Sequence, residues 1–140
     1  MIILDTNVLS ALMRPIPDRQ VIQWLDQQPR TSVWTTAVTV LEIRFGLASM
    51  PMGKRRGALA AAFERVLADK IEGRVAPFDA AAAQHAADLM ALRQKRGRPG
   101  DLRDSMIAGI VLAFQATLAT RNTIHFEDLP VPVVNPWVAM

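Results

Sequence analysis

Three acids in this chain occupy settings unlike those of ordinary surface carboxylates. Asp5 follows the wholly apolar Met1-Ile2-Ile3-Leu4 and opens Asp5-Thr6-Asn7. Glu42 lies in Thr39-Val40-Leu41-Glu42-Ile43-Arg44, and Asp104 in Arg103-Asp104-Ser105-Met106-Ile107. An apolar run broken by an acid reads as a buried strand that delivers a carboxylate to a crevice at its carboxyl end. Carboxylates that a fold brings to one point form a site for a hard divalent cation, and phosphodiester chemistry is the leading expectation for such a site. At about 5 Å and an effective dielectric of about 20, each pair of acids would repel by about 3 kcal/mol. Folding would then require protonation, wide separation or a cation.

Each acid also has a structural role open to it. Asp5 suits an Asx-turn or the N-cap of a helix. Thr39-x-x-Glu42 matches a capping box, in which the glutamate bonds the backbone of the cap residue. Asp104 falls in a first helical turn behind Asp101 as N-cap, where it complements the helix dipole. It also lies three residues before Ile107, on the side of the stripe Ile107, Ile110, Val111 and Phe114. A carboxylate aimed along a core stripe needs a partner or a cavity. Arg44 and Arg103, beside the acids in sequence, point elsewhere by helical spacing. His85 reads as helix surface, and His125 has no metal-ligand spacing and no assigned role. No Ser/His/Asp spacing, P-loop or Gly-x-Gly-x-x-Gly is present.

The elements that must position these acids alternate in type. Residues 1–4 form a strand, and 7–13 a short helix closed by Pro15 and Pro17. Asp18 caps a helix to about residue 28, which Pro29 ends. Residues 31–36, β-branched and aromatic, form a second strand, and a helix carrying Glu42 runs to about 49. An Ala-rich helix spans about 54–72, a strand 74–78, and a second Ala-rich helix, capped by Asp79, runs to Arg96 and stops at Gly97 and Pro99. Asp104 opens a helix to about 115. Residues 117–120 form a fourth strand, and 131–134 a fifth at an edge, because Pro130 and Pro132 lack donors. Strands alternating with helices predict an α/β fold with a mostly parallel sheet.

At 140 residues the chain predicts a single domain, 1–140, with no repeat or linker. Its hydrophobic content is 51% and its mean hydropathy +0.17, high enough to leave apolar surface for a partner. The longest apolar run, 106–114, is too short for a membrane span. The N-terminus has no basic leader region, and with no cysteine the cytoplasm is the expected compartment. Net charge is +3, clustered in Lys54-Arg55-Arg56 and in Arg93, Lys95, Arg96 and Arg98. That balance suits a polyanionic partner without requiring one; solvated helix ends are the more ordinary explanation of both clusters, and the preference of Lys and Arg for helix C-termini accounts for the second without any ligand.

Several segments together resemble the PIN domain, the metal-dependent ribonuclease fold of bacterial VapC toxins. They are Ile2-Ile3-Leu4-Asp5-Thr6-Asn7-Val8; Thr39-Val40-Leu41-Glu42-Ile43-Arg44-Phe45-Gly46; Gly97-Arg98-Pro99 with Asp104-Ser105-Met106-Ile107-Ala108; and Thr120-Arg121-Asn122-Thr123-Ile124-His125-Phe126. The closing Val133-Val134-Asn135-Pro136-Trp137 is similar to the FitB-like branch of these toxins. The resemblance covers essentially the whole chain and rests on the order and spacing of its motifs. It implies a three-layer α/β/α sandwich with a four- to five-stranded sheet. It implies that Asp5, Glu42 and Asp104 surround Mg²⁺ or Mn²⁺ and cleave RNA, with Thr6 and Asn7 as polar groups at the edge. It also implies a homodimer and a VapB- or FitA-like antitoxin that occludes the site. Many relatives carry a fourth acid where this chain has Asn122, which puts a second metal in doubt; Asp101 and Asp128 are nearby candidates to compensate.

The antitoxin is expected in an apolar groove between the helices at 54–72 and 79–96, with one cation forked onto Asp5 and Asp104. A HAD-type phosphatase would need a second Asp where this chain has Asn7. A receiver domain would need an acceptor Asp after its third strand and a distal Lys. A catalytically silent PIN-type RNA-binding or scaffold domain should have lost one of the three acids, and all three are present.

Overall fold

The computed structural model describes residues 1–138. Five short strands form one sheet: β1 (Ile2–Leu4), β2 (Val33–Thr36), β3 (Val75–Ala76), β4 (Thr117–Ala119) and β5 (Val133–Val134). Their order is β3-β2-β1-β4-β5, and every neighbouring pair is parallel. The first strand in sequence is therefore central, with Ile2 opposite both Val33 and Thr117. Six helices surround the sheet: α1 (Thr6–Leu12), α2 (Arg19–Asp26), α3 (Ala37–Ala48), α4 (Lys54–Val66), α5 (Ala80–Lys95) and α6 (Leu102–Phe114).

Strand periodicity sorts the core into two halves. Successive side chains point to opposite faces. Ile3 and Leu118 join Ala82, Leu89, Ile107, Ile110 and Phe126 on one face, which α5 and α6 cover. Leu4 and Ala119 join Leu9, Val21, Leu25, Phe63 and Ile71 on the other, which α1, α2 and α4 cover. The result is the three-layer α/β/α sandwich expected from the sequence. Helix α3 contributes Val38 to the first half and Ile43 to the second, so it crosses the carboxyl end of the sheet and carries Glu42 there.

Several expected boundaries shift. Residues 30–32 form a 3-10 turn ahead of β2, and β3 keeps only two residues of the expected five. The 54–72 helix ends in a π turn, Leu67–Ile71, after which Glu72 and Gly73 take positive φ. A 3-10 turn, Thr123–Phe126, lies between β4 and β5. The Ala-rich helices α4 and α5 cover opposite faces of the sheet, so they form no groove together. The apolar groove lies instead between the end of α1 and α4. It has a volume of about 780 Å³ and is floored by Leu12, Met13, Leu59, Ala62 and Val66 and rimmed by Arg14, Lys54, Arg55 and Arg65.

Close packing fixes α6 on α5. Gly109 lies where an added Cβ would meet the Ala82 carbonyl oxygen at 2.4 Å and the Ala86 Cβ at 2.8 Å. No helix among the described residues is long and apolar enough to cross a membrane.

Candidate active site

Asp5 ends β1 and begins α1. Its N–H donates to the Ala119 carbonyl of β4, which ties it to the sheet. One carboxylate oxygen accepts from the Thr6 N–H at 2.8 Å and the other from the Thr120 hydroxyl at 2.7 Å. Asp5 is thus the N-cap of α1 and also lines the cavity described below. Asp5 is only 4% exposed. Burial pushes its carboxyl above the ordinary value, the Thr120 and Thr6 hydrogen bonds oppose that, and the charges of Asp104 and Glu42 add to it.

Glu42 is not part of a capping box. Thr36 is the cap of α3, its hydroxyl accepting from the Thr39 N–H at 3.0 Å. Thr39 lies inside the helix, which frees Glu42 to project outward one turn later. Its carboxylate accepts from the Thr6 hydroxyl at 2.9 Å. Its other oxygen lies 3.8 Å from the Arg103 guanidinium, so Arg103 does not point away as helical spacing suggested. Arg44 does, pairing with Glu64 at 3.0 Å.

Asp104 occupies the first turn of α6, and Asp101 caps that helix by accepting from the Asp104 N–H at 3.1 Å. Burial and the Asp101 charge raise the Asp104 carboxyl, while His125 lowers it. The His125 Nδ1 lies 3.2 Å from the Asp104 carboxylate, which gives this histidine a place beside the site.

All three acids line one cavity of about 390 Å³, together with Thr6, Asn7, Asn122, Arg14, Arg121 and Trp137. Asn7 accepts from the Arg121 N–H at 3.1 Å, and the Asn122 N–H donates to the Thr120 hydroxyl at 3.1 Å. Asp101 faces a neighbouring cavity that shares only Asp104 with this one. Asp128 is consumed elsewhere, accepting two bonds at 2.8 and 2.9 Å from Arg93. Arg93, expected as part of a solvated cluster, is 5% exposed and also donates to the His125 carbonyl at 2.9 Å.

As the side chains stand, no three acidic or histidine groups among the described residues close on one point as metal ligands do. The donor set still fits a hard ion. Carboxylate, amide and hydroxyl oxygens suit Mg²⁺ or Mn²⁺, and no thiolate is present to favour a softer metal. Glu42 lies beside Arg103 and Asp104 beside His125, whereas Asp5 has no ion-pair partner among the described residues.

The PIN-domain family profile matches residues 2–131 of this chain. The chain belongs to the PIN-domain family. Among its PIN-domain relatives, a VapC ribonuclease, Y4jK, of Sinorhizobium fredii is 42% identical over 98% of both chains. The toxin FitB of Neisseria gonorrhoeae is 36% identical over 98% of this chain and 99% of that one. A solved structure of FitAB bound to a DNA fragment superposes with a TM-score of 0.88 at 35% identity, covering 100% of this chain and 98% of that one.

Proposed function

We propose that this chain is the toxin of a type II, VapBC-like toxin–antitoxin pair and hydrolyses RNA phosphodiester bonds with the help of Mg²⁺ or Mn²⁺. The observation that carries this reading is the common cavity of Asp5, Glu42 and Asp104, delivered by three separate elements in a PIN domain related to a VapC ribonuclease. When bound, the ion supplies Lewis acidity toward a water and neutralises charge on the phosphate. The chain's own part is to hold and orient the acids. Thr120 and the Thr6 N–H fix the Asp5 carboxylate, and the Thr6 hydroxyl aims Glu42. Asn7 and Asn122 present amides beside them without adding charge. Arg103 and, when protonated, His125 offset the charge of Glu42 and Asp104 while no ion is bound. The silent-scaffold alternative gains nothing here, because none of the three acids is missing or turned away from the cavity.

A cognate antitoxin follows from the same reading, since related toxins have been solved as FitAB and VapBC complexes. The groove of α1 and α4 suits an amphipathic antitoxin segment bearing acids for its basic rim. Arg14 lines both that groove and the acid cavity, so a segment lying in one reaches the other. Leu41, Phe45 and Leu102, neighbours of Glu42 and Arg103 on α3 and α6, are exposed apolar side chains that a second copy of the chain could cover. Acting on RNA, the protein would work in the cytoplasm. The decisive experiment is cleavage of RNA with Mn²⁺, with excess EDTA, and by Asp5→Asn. Cleavage should be lost in the second and third cases; undiminished cleavage in EDTA would overturn the reading.

A further inference from the structure

We infer that Arg121, backed by Trp137, is a stacking platform for one unpaired base of the RNA, and that Arg14 holds the adjoining backbone phosphate. The inference rests on RNA being the substrate. The three acids share their cavity with Arg14, Arg121 and Trp137, which supply its cationic and aromatic lining. Among the described residues neither arginine is ion-paired, although three carboxylates share the space. A cation left unpaired beside acids suits a polyanion that enters with the phosphate of the scissile bond.

The geometry of Arg121 favours a base rather than a second phosphate contact. Its guanidinium carbon lies over the Trp137 ring, 4.8 Å from the ring centre, so the cation is held against the indole face. Trp137 is itself held, half-buried against the core, with its backbone N–H donating to the Asn135 side chain at 2.9 Å. The backbone of Arg121 is fastened to Asn7, and Thr120, its neighbour, is bonded to Asp5. The platform therefore stands at a set distance from the carboxylates. Arg121 is exposed, so a base can lie on the guanidinium as bases lie on arginine planes in single-stranded RNA complexes. Stacking requires a flat base but not a particular one, so the site accepts any unpaired nucleotide at that position.

The test uses the full chain carrying Asp5→Asn, so that RNA binds without being cut. The probe is a labelled ten-nucleotide single-stranded RNA of mixed sequence, read by fluorescence anisotropy. A second set of probes replaces each base in turn with an abasic nucleotide, and a third is the same RNA in duplex form. The parent should bind the single strand more tightly than the duplex, and one abasic position should weaken binding roughly tenfold to a hundredfold. Arg121→Lys keeps the charge but loses the plane. It should weaken binding by a similar factor and abolish sensitivity to the abasic position. Trp137→Phe should retain that sensitivity and Trp137→Leu should lose it, which separates an aromatic role from loss of fold. Arg14→Ala should weaken intact and abasic RNA alike and lower the salt slope by about one. An Arg121→Lys protein with the parent's affinity and abasic profile would overturn the platform. A parent that binds no single-stranded RNA would overturn the substrate reading, and the platform with it.

Discussion

Gly109→Ala should loosen the joint between α5 and α6 and disable the site from a distance. The new methyl would lie 2.4 Å from the Ala82 carbonyl oxygen, about 1 Å short of ordinary contact, and 3.0 Å from the Ala86 nitrogen. Both are backbone atoms of α5, so no side chain can swing aside, and the helices must part. Overpacking of this kind costs about 1–3 kcal/mol, and alanine's better helix propensity returns about 1 kcal/mol. A clash on backbone belongs at the upper end, leaving a net loss of about 2 kcal/mol. In a domain of this size that lowers Tm by about 4–8 °C. Asp104 lies five residues earlier on the same helix, roughly 7.5 Å along its axis. A shift of α6 by about 1 Å carries Asp104 with it, and a misplacement of that size costs about a hundredfold in rate. Differential scanning calorimetry and RNA cleavage with Mn²⁺ measure the two effects. Gly57→Ala on α4, where a Cβ would meet nothing within 4 Å, serves as the control and should gain about 1 kcal/mol. A Gly109→Ala protein that melts at or above the parent with full activity would refute the packing argument.

Other outcomes follow from the acids and their partners. Burial raises the Asp5 carboxyl, so its protonated form favours the fold; that stability is complete below the ordinary carboxylate range and is lost as pH rises through the raised pKa. Asp5→Asn should therefore abolish cleavage yet raise the Tm of metal-free protein, by a margin that grows with pH; a margin independent of pH would contradict this. Asn122→Asp should tighten Mn²⁺ binding in calorimetry by adding a charge to the cavity, whereas unchanged or weaker binding would put Asn122 outside the metal's reach. Arg93→Met strips Asp128 of both its bonds and frees the His125 carbonyl, and should cost roughly 2 kcal/mol, less than a fully buried pair would because Asp128 is partly exposed. Chemical denaturation measures that loss; a change below about 0.5 kcal/mol, typical of surface positions, would show the clamp to be dispensable.

Local signals were legible in this sequence, and contacts between distant elements were not. Asp18, Asp79 and Asp101 were each identifiable as N-caps, and each accepts a backbone N–H from the first turn of its helix. The apolar run before Asp5 identified a buried strand and the acid at its end, though not that strand's central place in the sheet. The capping box at Thr39 misled because Thr36, three residues earlier, offers the same chemistry and stands where the strand ends. Helical spacing placed Arg103 only relative to its own helix; the glutamate it approaches belongs to α3. Nothing local distinguishes Arg93 from its basic neighbours, since its partner Asp128 lies 35 residues away. The faces of two Ala-rich helices could not be assigned from their own periodicity, because alanine satisfies either side. Trp137 was visible as part of a closing motif, but its contact with Arg121 depends on how β5 returns the chain to the site.

The central place of β1 also bears on the order in which the protein is made. A chain emerges from the ribosome from its N-terminus and folds as units become complete. Asp5 leaves early, yet the Ala119 carbonyl that seats its backbone and the Thr120 hydroxyl that holds its carboxylate are 115 residues or so behind it. Asp104, too, arrives late. A growing chain thus carries no assembled acid cluster until the fourth strand is out and has slid in beside the first. On the function proposed above, the nascent chain would lack its acid cluster, and with it the means to cut the message that encodes it, until that pairing is made.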